Sequence, residues 1–159
     1  MIERTLVLLK PDAVERGLMG EIIHRLERSG LKIIGMKMVW IDKKFAAEHY
    51  SEHIKKDFYL SLEEYVTSGP VVAMNVEGVS AVEVIRKMCG HTEPKKSIPG
   101  TIRGDFAVHS YEFADTKGIS IKNLIHASGS KKEADKELKM WFKDKELHSY
   151  EAVHEKHTR

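Results

Sequence analysis

Pro99-Gly100-Thr101-Ile102-Arg103-Gly104-Asp105 is the stretch on which the reading of this chain turns. Taken locally, it closes a loop that runs from Gly90 to Asp105 and also holds Pro94. Proline removes a backbone donor and glycine admits conformations that other residues avoid. A loop of this length in a compact domain is usually functional. Arg103 sits between Ile102 and Gly104, a constrained place for a charge with no task. With Lys95 and Lys96 it concentrates positive charge, which suits a small anion.

Downstream comes Asn123-Leu124-Ile125-His126-Ala127-Ser128-Gly129-Ser130. The histidine ends a short apolar run and is followed by small, flexible residues. Ser130 and Glu133 then form a capping box for a helix. This layout presents an imidazole at a strand or loop end, near a positive helix terminus that favours phosphate. A neutral imidazole is a competent nucleophile near pH 7, since its unperturbed pKa is about 6.5. Read alone, one histidine among nine is more often a surface or packed residue.

The remaining pattern supplies a framework. Residues 3–10 read as a strand ending at Lys10 and stopped by Pro11. Ile22, Ile23 and Leu26 recur at helical spacing over 20–29, with Gly30 as the cap. Leu31 to Trp40 suggests a second strand, irregular at Gly35. Asp42 caps a helix through about His53, and Ser61 with Glu64 opens a short helix that stops before Gly69. Val71–Val76 reads as a third strand, Ser80–Met88 as a helix, and Phe106–Phe113 as a fourth strand. Ser130–Phe142 is the last clear helix, followed by a charged tail that is partly helical or loosely packed. By this order alone the chain leans towards a parallel α/β sheet.

The 159 residues suffice for one domain, 1–159, with its own core. With 42% hydrophobic and 31% charged residues, the composition is globular rather than disordered. The net charge of +2 gives no argument for a general nucleic-acid binder. A single cysteine, Cys89, excludes an intrachain disulfide framework. No apolar run reaches membrane-spanning length and no cleavable leader pattern opens the chain, so a cytoplasmic protein with no membrane partner is expected.

Four segments taken together resemble the signature segments of nucleoside diphosphate kinases. They are Arg4–Val14 with Lys10-Pro11-Asp12, Gly90–Pro94, Lys95–Phe106, and Asn123–Ser130. Glu48-His49-Tyr50 and Ser68–Met74 match as well, and the resemblance runs in order from Glu3 to about Tyr150. It implies an α+β fold, a ferredoxin-like βαββαβ sandwich with a four-stranded antiparallel sheet covered by helices. Periodicity did not indicate this arrangement.

The resemblance also assigns roles. His126 would take the terminal phosphate of a nucleoside triphosphate such as ATP and pass it to a diphosphate, splitting one transfer into two half-reactions. Lys10 would place a point charge on the phosphates, and Arg86 and Arg103 would grip their oxygens bidentately. Thr92 would offer a hydroxyl to a phosphate, Tyr50 would lie near the phosphates, and Asn123 would contact the sugar. Phe58 would stack on the base. Glu137, two turns into the last helix, would point back to orient His126, supported by Ser128. Mg²⁺ would arrive on the nucleotide's phosphates, with no protein metal cage. The family implies a homo-oligomer, a hexamer before a tetramer.

Departures from the family pattern are local. Ala13 follows Asp12 where glycine is usual, and Ala127 and Gly129 replace the more frequent Gly and Asp. About eight extra residues lie within His109–Lys122, a segment expected to hold no phosphate contact. They leave a second base-stacking residue unplaced. Two rival readings remain: a non-enzymatic regulatory protein on the same fold, and a histidine phosphocarrier acting on proteins. The second would not need Phe58, Thr92 and Asn123.

Overall fold

The computed structural model describes residues 1–159. The elements follow as β1 (Ile2–Leu9), α1 (Pro11–Glu15), α2 (Met19–Arg28), β2 (Lys32–Val39), α3 (Lys43–His49) and α4 (Tyr59–Thr67). Next come β3 (Val71–Val79), α5 (Ala81–Cys89), α6 (Ile102–Phe106), α7 (Tyr111–Lys117), β4 (Ile125–Ala127), α8 (Lys131–Trp141) and α9 (Glu155–Thr158). The strands form one sheet in the order β2-β3-β1-β4, and every neighbouring pair is antiparallel. This is the sandwich the resemblance implied and not the parallel sheet suggested by element order. A bulge between Ile33 and Gly35 accounts for the irregular second strand.

Both faces of the sheet are covered, because β1 alternates within an almost wholly buried strand. Val7 and Leu9 join one core with Ile22 and Leu26 of α2, Ile85 of α5, and Met74 and Val76 of β3. Leu6 and Leu8 join a second core with Ala46, Leu62, Tyr65, Ala73 and Trp141, under α3, α4 and α8. Fully burying each such aliphatic side chain contributes about 1.5–3 kcal/mol. The middle of the sheet is therefore a rigid platform, and the ends of β1 and β4 inherit that rigidity.

Three local readings of the sequence are corrected. Phe106–Phe113 is not the fourth strand. Phe106 ends α6, and Ser110 caps α7 by accepting a hydrogen bond from the Phe113 N–H at 3.1 Å. The alternation there belongs to an extended connection in which Val108 is exposed, so period two arose without a sheet partner. The fourth strand is the three-residue β4 that carries His126. Ser61 does not open α4, which begins at Tyr59; its hydroxyl donates to the Phe58 carbonyl at 2.9 Å. The helix capped by Asp42 stops at His49, and a separate 3₁₀ turn covers Ser51–His53. The cap itself holds, with Asp42 Oδ1 accepting from the Phe45 N–H at 2.7 Å.

The charged tail packs back on the sheet. Lys32 reaches Glu155 at 2.8 Å and Arg159 reaches Glu77 at 2.7 Å. No helix is long and apolar enough to cross a membrane.

Candidate active site

His126 lies opposite Leu8 in the β1–β4 ladder, so its side chain shares Leu8's face and looks towards α3, α4 and α8. Ile125 and Ala127 point the other way, into the first core. The ring is held from α8: Glu137 Oε1 lies 2.9 Å from His126 Nε2. The second carboxylate oxygen accepts the Ser128 hydroxyl at 2.5 Å, and Ser128 Oγ accepts the Leu6 N–H at 3.3 Å. Burial works to raise the Glu137 carboxyl. The hydrogen bond and charge of His126, with the Ser128 hydroxyl, outweigh it and hold that carboxyl below the usual carboxylate range. An ionised Glu137 accepts the proton on Nε2 and leaves the Nδ1 lone pair free.

Because β4 is only three residues long, side chains must fix what a longer ladder would. Leu124 immediately before it adopts φ +68°, a left-handed conformation costly for a bulky residue. Its carbonyl accepts the Lys10 N–H at 2.8 Å, and its N–H donates to Asp12 Oδ2 at 3.2 Å. Asp12 Oδ1 in turn accepts the Tyr65 hydroxyl at 2.6 Å. Arg103 donates to the carbonyls on either side, Asn123 at 3.2 Å and Ile125 at 2.6 Å, and to Gly90 at 3.0 Å. Strain just before the histidine is thus held by three separate parts of the chain: the Lys10–Asp12 segment, Tyr65 through Asp12, and Arg103.

The Pro99–Asp105 string explains itself as the mount for Arg103. Thr101 Oγ1 accepts the Gly104 N–H at 3.0 Å and caps α6. A Cβ on Gly104 would collide with the Ile98 carbonyl, so only glycine fits there. Asp105 accepts the Gly100 N–H at 2.7 Å and pairs with Arg25 at 2.7 Å. Gly100 itself stands at φ +90°.

A cavity of about 1210 Å³ opens over these residues. Its inner end is cationic: Lys10, Arg86 and Arg103 line it with Thr92, Asn123 and His126. Lys10 is buried and donates to Asn123 Oδ1 at 2.7 Å, while Asn123 Nδ2 donates to the Thr92 carbonyl at 2.9 Å. Burial, and then the Arg103 charge, pushes Lys10 down to about 7. Burial also lowers Arg103 from the ordinary guanidinium range. Arg86 is exposed, with one N–H 3.4 Å from the Ala127 carbonyl. Tyr50 is buried edge-on to His126, ring centres 6.3 Å apart, and burial raises its phenol well above the ordinary value.

The cavity also has apolar lining residues. Phe58, 51% exposed, is one of them. Tyr111, Ala114, Ile119 and Ile121, all from the inserted 109–122 segment, are others. The segment expected to lie outside the chemistry is therefore a wall of the cavity.

Nine residues given roles by the resemblance lie at this site, whereas Lys95 and Lys96, grouped with Arg103 in the sequence, do not line the cavity and pair with Glu112 at 3.8 Å and Glu93 at 2.6 Å. Eight of the nine line the cavity, and Glu137 stands behind His126. Two do more structural work than expected: Asn123 holds Lys10, and Arg103 holds the backbone around Leu124. Asp12, Tyr65, Leu124 and His49 were missed. Asp12 stood in the intact Lys-Pro-Asp pattern and could have been found; Tyr65 carried no sequence signal.

The comparisons with known proteins agree with one another. The family model described as nucleoside diphosphate kinase matches residues 3–147. A nucleoside diphosphate kinase of Pyrococcus abyssi is 57% identical over 93% of this chain and 89% of its own length. A Borrelia burgdorferi structure, titled as a transition-state mimic of nucleoside-diphosphate kinase with bound vanadate and ADP, superposes with a TM-score of 0.95. It is 42% identical, over 99% of this chain and 96% of that one. A Halobacterium salinarum nucleoside diphosphate kinase in complex with CDP gives a TM-score of 0.88 at 40% identity, covering 98% and 97% of the two chains.

Proposed function

The chain belongs to the nucleoside diphosphate kinase family, and on that premise we propose how its residues divide the work. It is an enzyme that moves the terminal phosphate of a nucleoside triphosphate to a nucleoside diphosphate. The carrying observation is the Glu137–His126 contact, which places the neutral ring's proton on Nε2 and leaves its Nδ1 lone pair for a phosphate beside a cationic cavity.

In the first half-reaction the Nδ1 lone pair of His126 forms the N–P bond as the bond to the bridging oxygen breaks. The diphosphate leaves with that electron pair. Nε2 keeps its proton, and the positive charge gained by the ring is balanced by Glu137. A second diphosphate then reverses the step. Lys10, Arg86 and Arg103 neutralise charge on the moving phosphoryl group, with Thr92 as a hydroxyl donor. Arg103 has five N–H donors, of which three serve carbonyls and two remain for phosphate. Phe58 offers a half-exposed ring for the base.

Mg²⁺ enters as part of the substrate. Asp12, the carboxylate beside Lys10, is committed to Tyr65 and Leu124, which suits a metal carried on the phosphates rather than on the protein. We also read the chain as a homo-oligomer, hexameric by preference. The edge strand β2 exposes Met36 and Met38, with Trp40 just beyond it, and supports that reading as an apolar stripe. The cytoplasm is the compartment we assign, where nucleoside tri- and diphosphates meet.

Incubation with γ-labelled ATP and Mg²⁺ tests the reading. Base-stable, acid-labile label is expected on His126, discharged by added diphosphate. His126→Ala should bind ADP but take no label. Label on another residue, with turnover retained by the variant, would overturn it.

A further inference from the structure

Behind His126 lies a ring that the mechanism above does not use. The His49 side chain, at the end of α3, is 1% exposed. Its ring meets His126 edge-on, centres 4.9 Å apart, and it also meets Tyr50 and Trp141 edge-on at 4.5 and 5.5 Å. Its Nδ1 accepts the Trp141 indole N–H at 3.2 Å. An indole nitrogen can only donate, so Nδ1 carries no proton and a neutral His49 must carry its proton on Nε2. That Nε2 is buried without a hydrogen-bond partner, 3.8 Å from Glu137 Oε1. This is the same oxygen that holds His126 Nε2.

Nitrogen and oxygen atoms of His49, His126 and Glu137 lie within 4.8 Å of one another, a spacing that could suggest a metal. The tautomer argues against it. A metal needs the Nε2 lone pair, and that position holds the proton while Trp141 donates to Nδ1. What the group offers instead is an N–H 3.8 Å from a carboxylate oxygen.

We infer that His49 is a positioning residue for phosphoryl transfer, a neutral Nε2–H imidazole locked by Trp141 that steadies the Glu137 carboxylate and the His126 ring from behind. The inference rests on His126 being the nucleophile. A closure of under 1 Å would turn the 3.8 Å approach into a hydrogen bond. Such a bond shares the Glu137 charge between two rings, so His126 feels less than the whole of it. Several charged or titratable groups face His49: Glu137 and Lys136 on α8, His126 on β4, Lys10 beyond β1, and Tyr50 beside it. Burial, then the His126 charge, pushes His49 down to about 3, so it stays neutral where the enzyme works.

The test is rapid-quench phosphorylation by Mg·ATP from about pH 6 to about pH 9, spanning imidazole titration. Wild type, His49→Phe, His49→Gln and Trp141→Phe are compared. His49→Phe keeps the packing and loses the N–H; its saturated rate should fall about 10–100-fold, the cost of a misplaced reacting group, with KM for ATP little changed. The acid limb of its rate profile should move to higher pH, because Glu137 then acts on His126 alone. His49→Gln, which restores an N–H, should recover most of the rate and the profile. Trp141→Phe frees the tautomer and should shift the profile the same way by less. A folded His49→Phe with wild-type rate and profile overturns the inference, as does His49→Gln performing no better than His49→Phe. If His49→Phe does not fold, an unshifted Trp141→Phe profile overturns it. Wild type that takes no label on His126 refutes the phosphohistidine reading instead, a result distinct from either.

Discussion

Asp12 and Leu124 are 112 residues apart in sequence, yet the Asp12 carboxylate accepts the Leu124 N–H at 3.2 Å and holds a left-handed backbone next to the nucleophile. Asp12→Ala should leave that N–H and the Tyr65 hydroxyl unpaired. Each unsatisfied group costs about 1–3 kcal/mol, so unfolding free energy should drop by about 2–6 kcal/mol in urea titrations. The phosphorylation rate should fall more than ADP affinity. A fully stable variant with a normal rate would show that Leu124 does not depend on this contact.

The two arginines should separate by stability. Arg103→Ala removes three donations to carbonyls as well as phosphate contacts, so it should lower both the melting temperature and kcat, the latter about 10²–10³-fold. Arg86→Ala, at an exposed guanidinium, should lower kcat while leaving the melting temperature within a few degrees. The double variant should lose less rate than the product of the two, because both address one phosphoryl group.

Lys10 provides a pH signature. Its folded value, about 7, lies below the ordinary lysine value because of burial and the Arg103 charge, so the free enzyme is largely neutral there above pH 7. Bound phosphates favour the ammonium and raise the value. ADP binding at about pH 8 should therefore take up close to one proton, and at about pH 6 almost none. Calorimetry in buffers of different ionisation enthalpy reads this directly. The same depression means that this lysine's contribution to fold stability increases as pH rises from about 7 towards its unfolded value of 10.5, and is least below 7. Proton release on binding would contradict the assignment.

Removing the inserted segment between His109 and Lys122 should raise KM for nucleotides, because Tyr111, Ile119 and Ile121 form one wall of the cavity. The saturated phosphorylation rate should change little, since none of the residues proposed to contact phosphate belongs to that segment. Phe58→Ala should behave alike, losing about 1–3 kcal/mol of stacking. A dead but folded deletion would refute this division.

Recognition by stacking and by phosphate charge predicts broad substrate use. Purine and pyrimidine diphosphates, ribo and deoxyribo, should all be accepted, purines somewhat better. Initial-rate plots should be parallel, as one site serves donor and acceptor in turn. Strict use of one base, or intersecting plots, would overturn it.

Much of this was legible in the chain because family signature strings are local. Lys10-Pro11-Asp12, Gly100–Asp105 and Asn123–Ser130 each carry their geometry in a few neighbouring residues. What failed was whatever depended on partners distant in sequence. Phe106–Phe113 alternates like a strand, and only the absence of a neighbour to pair with makes it a connection and a helix. β4 is too short to show a period. Tyr65 and His49 have no local mark, because their roles arise only when α3 and α4 are packed on the face that carries His126. The insertion looked incidental for the same reason: α7 meets the cavity beside His126 through folding, not through spacing.

The shortness of β4 has a consequence for anyone transplanting this centre. A nucleophile carried by three strand residues has no address of its own; Lys10 and Asp12, Arg103, and Glu137 supply it from three separate segments. Grafting the histidine octapeptide onto another sheet would move the reactive atom without its coordinates. Chimaeras between relatives should keep activity only when those three segments come from one parent. Exchanges confined to the exposed α7 surface or the tail should be tolerated. The centre is thus inherited as a set, though the sequence writes it in pieces.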